Sequence, residues 1–265
     1  MVPDSANNLA SDSLLATKLA IPPTRSELVG RPRLLDALNA GLSRKLTLVS
    51  APAGFGKTTL LSTWASVRDS PVGWLTLDEE DNDPGRFLTY CVAAMKTCYS
   101  DVGESVLVRL QAQPPPALDS LMTALINDLF RLPGRLALVL DDYHAIGRQE
   151  IHAIVTHLLE QPPPQLRLLM TTRSDPPLPL ARLRGRRELS ELRAADLRFT
   201  RAEAVAFLAR GMGVALSDAA LATLEARIEG WAVGLQLAGL ALKGQAEPAL
   251  SLTIFAAATG TSSTT

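Results

Sequence analysis

Apolar residues in this chain form short continuous runs separated by segments of helical periodicity. The runs occupy residues 46–50, 72–77, 136–140 and 166–171, and a weaker one follows at 188–192. Near-continuous apolar runs of this length are typical of strands that are buried on both faces of a parallel sheet. The pattern therefore predicts an α/β fold built on a parallel sheet.

Helical periodicity fills the gaps between these runs. Before the first run, for example, Leu34, Leu38 and Leu42 recur at the spacing of one helix face. Helices are predicted on this basis at residues 33–42, 57–67, 86–98, 117–130 and 150–159. Their alternation with the strands predicts a sheet flanked by helices on both faces.

Only helical patterns remain after about residue 199, at residues 201–210, 218–229 and 232–242. Thr200 and Glu203 fit a capping box, in which the threonine hydroxyl accepts an amide of the first turn and the glutamate reaches back to the cap amide. A small helical segment is therefore expected to follow the α/β domain.

The composition argues against several classes of function. The chain has 26 basic and 27 acidic residues, so a polyanion-binding surface spread over the whole molecule is not expected. Cys91 and Cys98 lie two helical turns apart, which is too far for a disulfide, and three histidines without a CxxC motif give little support for metal chemistry. No run reaches the roughly 18 apolar residues of a membrane span, and a cytosolic protein is expected.

A phosphate-binding loop is the most specific feature of the sequence. Residues 51–58 read Ala-Pro-Ala-Gly-Phe-Gly-Lys-Thr and match the pattern G-x-x-x-x-G-K-[ST] except that Ala51 replaces the first glycine. Backbone amides at the start of the following helix would bind an anion, helped by the helix dipole. Lys57 is expected to reach the β- and γ-phosphates and Thr58 to supply a hydroxyl to Mg²⁺. The candidate nucleotide-binding residues are Gly54, Phe55, Gly56, Lys57, Thr58 and Thr59.

Two acids follow the apolar run at residues 136–140. An acid at the end of a parallel strand lies at the carboxyl edge of the sheet, where the phosphate loop is also expected. Asp141 is predicted to hold Mg²⁺ together with Thr58, and Asp142 is predicted to orient or polarise the attacking water as a catalytic residue. The pair therefore resembles a Walker B acid and its neighbour.

Basic residues after the next strands are less specific. Thr172 and Arg173 follow the run at 166–171 and would face the γ-phosphate if this strand neighbours the acid strand. Arg173 is therefore a candidate catalytic residue, although an arginine after a strand is common. A solvated loop is the favoured interpretation of a further basic cluster, with binding of phosphate, a partner or nucleic acid as the alternative. Its members are Arg182, Arg184, Arg186 and Arg187.

Together these segments resemble the signal-transduction NTPases of the STAND class, in particular the ATP-dependent transcriptional activators of the maltose-regulator type (LuxR family). Within the matching region, Ala232 and Val233 stand where that family tends to have a proline and a small residue. Besides the phosphate loop, the segments that carry the resemblance are residues 17–23, 29–35, 74–87, 140–144, 171–177 and 230–237. The similarity therefore extends over residues 17–242.

The resemblance implies a P-loop NTPase that binds ATP with Mg²⁺, and it adds Arg31 to the candidate nucleotide-binding residues. With the composition of the termini, it predicts four parts. These are a flexible leader at residues 1–24, a P-loop NTPase domain at 25–198, a small helical lid segment at 199–245 and a disordered tail at 246–265.

The function expected from this resemblance is an ATP-binding regulatory switch that hydrolyses ATP slowly or not at all. Its expected partners are ATP and ADP, with self-association or a regulatory protein in addition, and no membrane. Specific DNA binding by this chain alone is not expected, because the sensor and helix-turn-helix modules of the family do not fit into 265 residues. The alternatives are a P-loop kinase for a small molecule and a non-catalytic remnant that serves as an interaction module.

Overall fold

A computed structural model describes residues 14–24, 29–114 and 116–243 of the chain. Its centre is a five-stranded parallel sheet with the strand order β2-β3-β4-β1-β5. The strands are β1 (Leu46–Ser50), β2 (Val72–Thr76), β3 (Leu136–Asp141), β4 (Leu166–Thr172) and β5 (Leu189–Arg193). The predicted α/β fold with a parallel sheet flanked by helices is therefore confirmed.

Helices connect and cover these strands. The first part of the chain contributes α1 (Ala16–Leu19), α2 (Pro32–Gly41), α3 (Lys57–Ser66), α4 (Pro84–Lys96), α5 (Glu104–Leu110), α6 (Leu118–Phe130) and α7 (Gln149–Glu160). The second part contributes α8 (Leu180–Gly185), α9 (Ala194–Leu197), α10 (Arg201–Ala206), α11 (Asp218–Ile228) and α12 (Ala232–Leu242). Short 3₁₀ turns follow β2 at Glu79–Asn82 and β3 at Tyr143–Ala145.

The sheet divides the apolar core into two layers. Side chains alternate along each strand, so Leu138 and Leu140 face a layer that includes α4, α6 and α7, whereas Val139 faces α2 and α3. Both faces are covered, which explains why the strands read as continuous apolar runs rather than as alternating ones. The central strands β1 and β3 are buried along their whole length.

The helices that the sequence did not predict are short. Helices α5, α8 and α9 have seven, six and four residues, which is too few for a clear periodic pattern. The helix predicted at residues 201–210 is shorter in the structure. The α-helix α10 ends at Ala206, and a π-helical turn follows over Phe207–Gly211.

The predicted leader needs correction where the structure describes it. Residues 14–24 are not separate from the core: α1 lies against β2 and α4, and Leu14 and Leu19 pack on the larger core layer. Residues 1–13 of that leader lie outside the described residues. The Pro-rich sequence suggested an extended chain, but it did not reveal that Lys18 is buried.

The last three helices form a small core of their own. Leu208, Leu221, Leu224 and Leu235 are buried together, and the capping box of Thr200 and Glu203 that opens α10 is formed as predicted. The predicted tail at residues 246–265 lies outside the described part of the chain. Within the described residues, no helix has the length and apolar character needed to cross a membrane.

Candidate nucleotide-binding site

The phosphate loop connects the end of β1 to the start of α3 at the carboxyl edge of the sheet. Gly54 and Gly56 have φ angles of 82° and 73°, a left-handed conformation that favours glycine. Gly56 is the cap residue of α3 and provides no side-chain cap. As in any α-helix, the first amides of this ten-residue helix have no intrahelical acceptor. The loop therefore presents backbone donors at the positive end of a helix dipole, as an anion site requires.

Lys57 is folded back into this loop. Its Nζ donates hydrogen bonds to the carbonyl oxygens of Ala51 (2.7 Å) and Pro52 (3.0 Å). Burial lowers the pKa of Lys57, and nearby Arg173 lowers it further, while Asp142 and Asp141 oppose the shift. An anion beside Nζ would offset this desolvation and keep the ammonium charged.

Asp141 lies at the centre of a hydrogen-bonded network that joins three elements. Its Oδ1 accepts from the hydroxyls of Thr58 on α3 (3.1 Å) and Thr171 on β4 (2.6 Å). Thr171 Oγ1 in turn accepts the backbone amide of Asp142 at 2.8 Å. The predicted pair of Thr58 and Asp141 is therefore in direct contact, and Thr171 fixes both acids.

These oxygens fit a magnesium ion. Mg²⁺ prefers carboxylate and hydroxyl oxygens together with water and phosphate, and Thr58 and Asp141 supply one of each kind. Asp141 is almost fully buried, and burial raises its pKa although the hydroxyl of Thr171 opposes the shift. A buried carboxylate with a raised pKa gains most from a nearby cation, so Thr58 and Asp141 are the residues that could hold the metal.

Asp142 stands at the mouth of the site rather than inside it. It adopts a left-handed conformation with φ 57°, and 41% of its side chain is exposed. His144 Nδ1 lies 3.6 Å from Asp142 Oδ1, and burial and the charge of Arg173 lower the pKa of His144. Arg173 itself is exposed, and its charge acts on both Lys57 and His144. Asp142 and Arg173 therefore lie close enough to Lys57 for their charges to affect its pKa, and both side chains are open to solvent at least in part.

A cavity lies between the phosphate loop and the helical segment. It measures about 170 Å³ and is lined mainly by apolar side chains. The lining comprises Val29, Arg31, Leu35, Gly54, Phe55, Gly56, Thr59, Leu60, Thr63, Phe199, Phe207, Ala232, Val233 and Gln236. An apolar cleft with a few polar groups beside a phosphate loop has the character of a nucleoside pocket.

A second cavity of about 270 Å³ adjoins the first around α3. The two cavities share Thr59, Phe207 and Gln236. The further lining residues are Pro22, Pro23, Thr24, Thr58, Ser62, Gly211 and Met212. Both Thr58 and Thr59, which were predicted from the motif, therefore border the open space at the start of α3.

The helical segment contacts the phosphate loop directly. The amide of Val233 donates to the carbonyl oxygen of Gly54 at 3.2 Å. A Cβ atom at Gly54 would lie 2.8 Å from Nε1 of Trp231 and 3.0 Å from a methyl group of Val233. Glycine is therefore required at position 54 by the backbone conformation and by this close approach. A change in the conformation of the loop would alter its contacts with α12.

Arg31 occupies a different role from the phosphate-loop residues. Its guanidinium bonds to Glu203 (3.2 Å) and to the carbonyl oxygens of Leu197 and Arg198, and it stacks 4.3 Å from the centre of the Phe199 ring. Arg31 lines the apolar cavity, but its charged end links the α/β domain to the helical segment. Contact of Arg31 with a nucleotide stays a prediction.

Three contributors to the site were not predicted as site residues. The sequence pattern places Thr171 only within the strand, and its bond to Asp141 depends on β4 lying beside β3. Trp231 borders Gly54, and Glu203 binds Arg31, which lines the cavity. Only the resemblance at residues 230–237 points to Trp231. Thr172, expected near the phosphates, donates its hydroxyl to the carbonyl of Ser174 at 2.7 Å.

No family model matches the chain. The chain is similar to the HTH-type transcriptional regulator MalT of Yersinia enterocolitica, with 38% identity over 227 residues that cover 86% of this chain and 25% of the relative. It is also similar to the serine/threonine-protein kinase PknK of Mycobacterium tuberculosis, with 36% identity over 232 residues that cover 86% of this chain and 21% of the kinase. The chain thus spans about a quarter of the length of these curated relatives or less.

Solved structures agree on the fold. A Walker-type ATPase of Pyrococcus abyssi superposes with a TM-score of 0.56 and 15% identity, covering 89% of this chain and 74% of that one. A STAND protein with a tetratricopeptide repeat sensor from Pyrococcus horikoshii also gives a TM-score of 0.56, at 14% identity, covering 81% of this chain and 30% of that one. At this level of identity the likeness shows the fold and nothing finer.

Proposed function

We propose, from its similarity to MalT-type regulators over 86% of its length, that the chain is an ATP-binding switch domain of the STAND class of P-loop NTPases. The nucleotide would be held as its magnesium complex. ATP hydrolysis, if it occurs, would be slow. In a longer polypeptide, this region would convert nucleotide state into the conformation of a transcriptional regulator.

The observation that carries this proposal is the arrangement at the carboxyl ends of β1, β3 and β4. The amides at the start of α3 and the Lys57 ammonium lie in the phosphate loop next to Thr58, whose hydroxyl donates to Asp141. Each group has the charge or polarity that a magnesium-bound triphosphate needs at that place. The cavity beside Phe55 and Val233 offers an apolar surface for the base.

Different residues would bind different parts of the ligand. Lys57 would exchange its two carbonyl contacts for phosphate oxygens, and Thr58 and Asp141 would hold the metal between them. Asp142 and Arg173 are proposed to orient water and to contact the terminal phosphate. The contact between Val233 and Gly54 makes the helical segment the element that would move when the loop changes its ligand.

Substitution of Lys57 by alanine tests the assignment. We expect Lys57→Ala to fold but to bind Mg·ATP roughly ten- to hundredfold more weakly, since a hydrogen bond to a charged group contributes about 1.5–3 kcal/mol. Isothermal titration calorimetry measures the affinity. Thermal melting with Mg·ATP at about 100 times its dissociation constant gives a second readout, because such a ligand adds about 2.7 kcal/mol of stability.

Lys96→Ala is a matched control. Lys96 lies in the last turn of α4, which runs back toward the amino edge of the sheet, and this variant should bind as the unchanged protein does. Unaltered affinity in Lys57→Ala would contradict the site. Absence of binding in the unchanged protein would favour the non-catalytic remnant, and ATP turnover that depends on a small acceptor would favour a kinase.

A further inference from the structure

Residues 14–24, termed here the N-terminal strap, are held by a buried ion pair. Lys18 is 7% exposed and Asp81 is 0% exposed, and the ammonium of Lys18 donates to the carboxylate of Asp81. The same ammonium lies 2.9 Å from Asp78 Oδ2. Charged groups are seldom buried so completely unless they are paired, so this contact specifies the position of the strap.

Further contacts hold the strap against α4 and the turn that follows β2. The amide of Leu15 donates to the hydroxyl of Tyr90 at 3.1 Å, and Lys18 Nζ lies 4.8 Å from the centre of the Tyr90 ring. Asp81 also accepts from Arg86 Nε (3.3 Å) and belongs to the 3₁₀ turn that follows edge strand β2. Two segments that carried the family resemblance, around Lys18 and around Asp81, therefore meet here.

The other end of the strap reaches the candidate nucleotide site. Pro22, Pro23 and Thr24 line the larger cavity together with Thr58 and Thr59 at the start of α3. Only three residues separate Lys18 from Pro22. Proline fixes φ and favours an extended, stiff backbone, so the position of Lys18 constrains the position of the cavity wall.

We propose that the N-terminal strap is a wall of the nucleotide site and that Lys18 positions this wall through Asp81. The proposal rests on the ATP-binding function proposed above. Bound nucleotide would contact Pro22, Pro23 and Thr24 beside α3, and release of Lys18 from Asp81 would loosen that contact. Lys18 is a positioning residue, since it touches neither Thr58 nor the phosphate loop in the structure.

Lys18→Met tests the proposal, because methionine keeps most of the length of the side chain and removes its charge. We expect its affinity for Mg·ATP in calorimetry to fall by at least about fivefold, the lower end of typical coupling between linked sites. Lys45→Met is the matched control. Lys45 pairs with Glu188 at 2.9 Å beside the amino end of β1, on the edge of the sheet opposite the site, and its loss should leave the affinity unchanged.

Two further measurements distinguish a positioning role from a merely structural one. The double variant Lys18→Met with Asp81→Asn removes both buried charges, so it should fold even if Lys18→Met alone does not. It should still bind Mg·ATP more weakly than the unchanged protein does. In the unchanged protein, Mg·ATP should slow amide hydrogen exchange in residues 14–24. This exchange measurement needs no variant, because coupling between the strap and the nucleotide is reciprocal.

The outcomes separate the two proposals. If the unchanged protein and Lys45→Met bind nucleotide, Lys57→Ala does not, and folded Lys18→Met or the double variant binds normally, the strap is not a wall of the site. Unchanged exchange of residues 14–24 on binding would overturn it as well. If the unchanged protein binds no nucleotide, the ATP-binding function fails and this inference fails with it.

Discussion

At the scale of single residues, Asp141 shows how a binding site can oppose stability. Its carboxylate accepts two hydroxyls, yet burial raises its pKa, so protonation of Asp141 is easier in the folded than in the unfolded state. A pKa that is higher in the folded than in the unfolded state means that ionised Asp141 lowers the free energy of unfolding at neutral pH, and that this cost disappears as the pH falls through the raised pKa.

Asp141→Asn should therefore stabilise the protein while weakening its use of magnesium. Asparagine Oδ1 can still accept from Thr58 and Thr171, but no buried charge remains. We expect a gain of about 1 kcal/mol, equivalent to roughly 2–4 °C in melting temperature, and ATP affinity that no longer depends on Mg²⁺. Melting curves without nucleotide and titrations with and without Mg²⁺ measure the two effects.

Asp142→Asn makes the same chemical change one residue further along, where the side chain is 41% exposed. It should alter neither the melting temperature nor the magnesium dependence of binding, and it should suppress whatever hydrolysis exists, because an amide does not polarise water as a carboxylate does. Identical results for the two variants would show that the acids do not have separate roles.

At the scale of elements, a cluster around Glu203 joins the start of α10 to the start of α2. Glu203 accepts from Arg31 and Arg33 and also caps its own helix through the amide of Thr200. Burial alone would raise the pKa of Glu203, but the hydrogen bonds from Arg33 and Thr200 and the charge of Arg31 outweigh it and hold that pKa below the usual range. The ionised form is therefore the one that stabilises the fold.

The lowered pKa of Glu203 predicts how the stability of the protein depends on pH. The contribution of Glu203 is complete above the usual glutamate pKa of about 4.3 and is lost as the pH falls through the lower folded value. Glu203→Gln should cost about 1–3 kcal/mol in the free energy of unfolding at pH 7, and the difference from the unchanged protein should shrink below about pH 4. Urea titrations at a series of pH values measure it.

Glu229→Gln provides the control for this experiment. Glu229 pairs with Arg198 at 2.7 Å, but both side chains are at least half exposed, so its replacement should have little effect at any pH. A difference for Glu203→Gln that stays constant down to acidic pH would show that the capping geometry matters and the charge does not.

The elements also show what the sequence could reveal. The strands and the long helices were predictable because burial on both faces of a sheet and on one face of a helix leaves a local periodic pattern. Helices α5 and α8 were not, since seven and six residues give too few repeats. The phosphate loop was predictable from its motif, because backbone conformation there requires glycine at fixed positions.

Contacts between distant parts of the chain left no local pattern. Arg31 and Glu203 are 172 positions apart, and Lys18 and Asp81 are 63 apart. The hydroxyl of Thr171 reaches Asp141 only because β4 lies beside β3. The sequence alone did not establish that these two strands are neighbours. Pairing across such distances is determined by topology and by side-chain packing, which one sequence does not display.

At the scale of the whole molecule, the distribution of charge argues against attachment to nucleic acid. In the basic cluster after β4, Arg182 pairs with Glu160, and Arg184 pairs with Glu191 and Asp175. Guanidinium groups that are already paired neutralise fewer phosphates, so fewer counterions are released from the nucleic acid. The chain as a whole carries a formal charge of −1.

We therefore expect no sequence-selective binding of DNA by this chain. A mobility-shift assay at physiological ionic strength with competitor DNA measures it, and only weak attachment that disappears with added salt is expected. A chain in which Arg182 and Arg184 are both replaced by glutamine should behave in the same way. Selective retention of one DNA sequence would show that a recognition element exists in this chain.

The placement of Trp231 beside Gly54 gives the molecule an intrinsic optical reporter. Of its three tryptophans, Trp64 and Trp74 are fully buried, whereas Trp231 is 37% exposed and borders the phosphate loop. Acrylamide should therefore quench the fluorescence of Trp231 selectively. When Mg·ATP binds or the helical segment shifts, the emission of this one indole should change, and Trp231→Phe should abolish the signal. Nucleotide state could then be followed in real time without an attached dye.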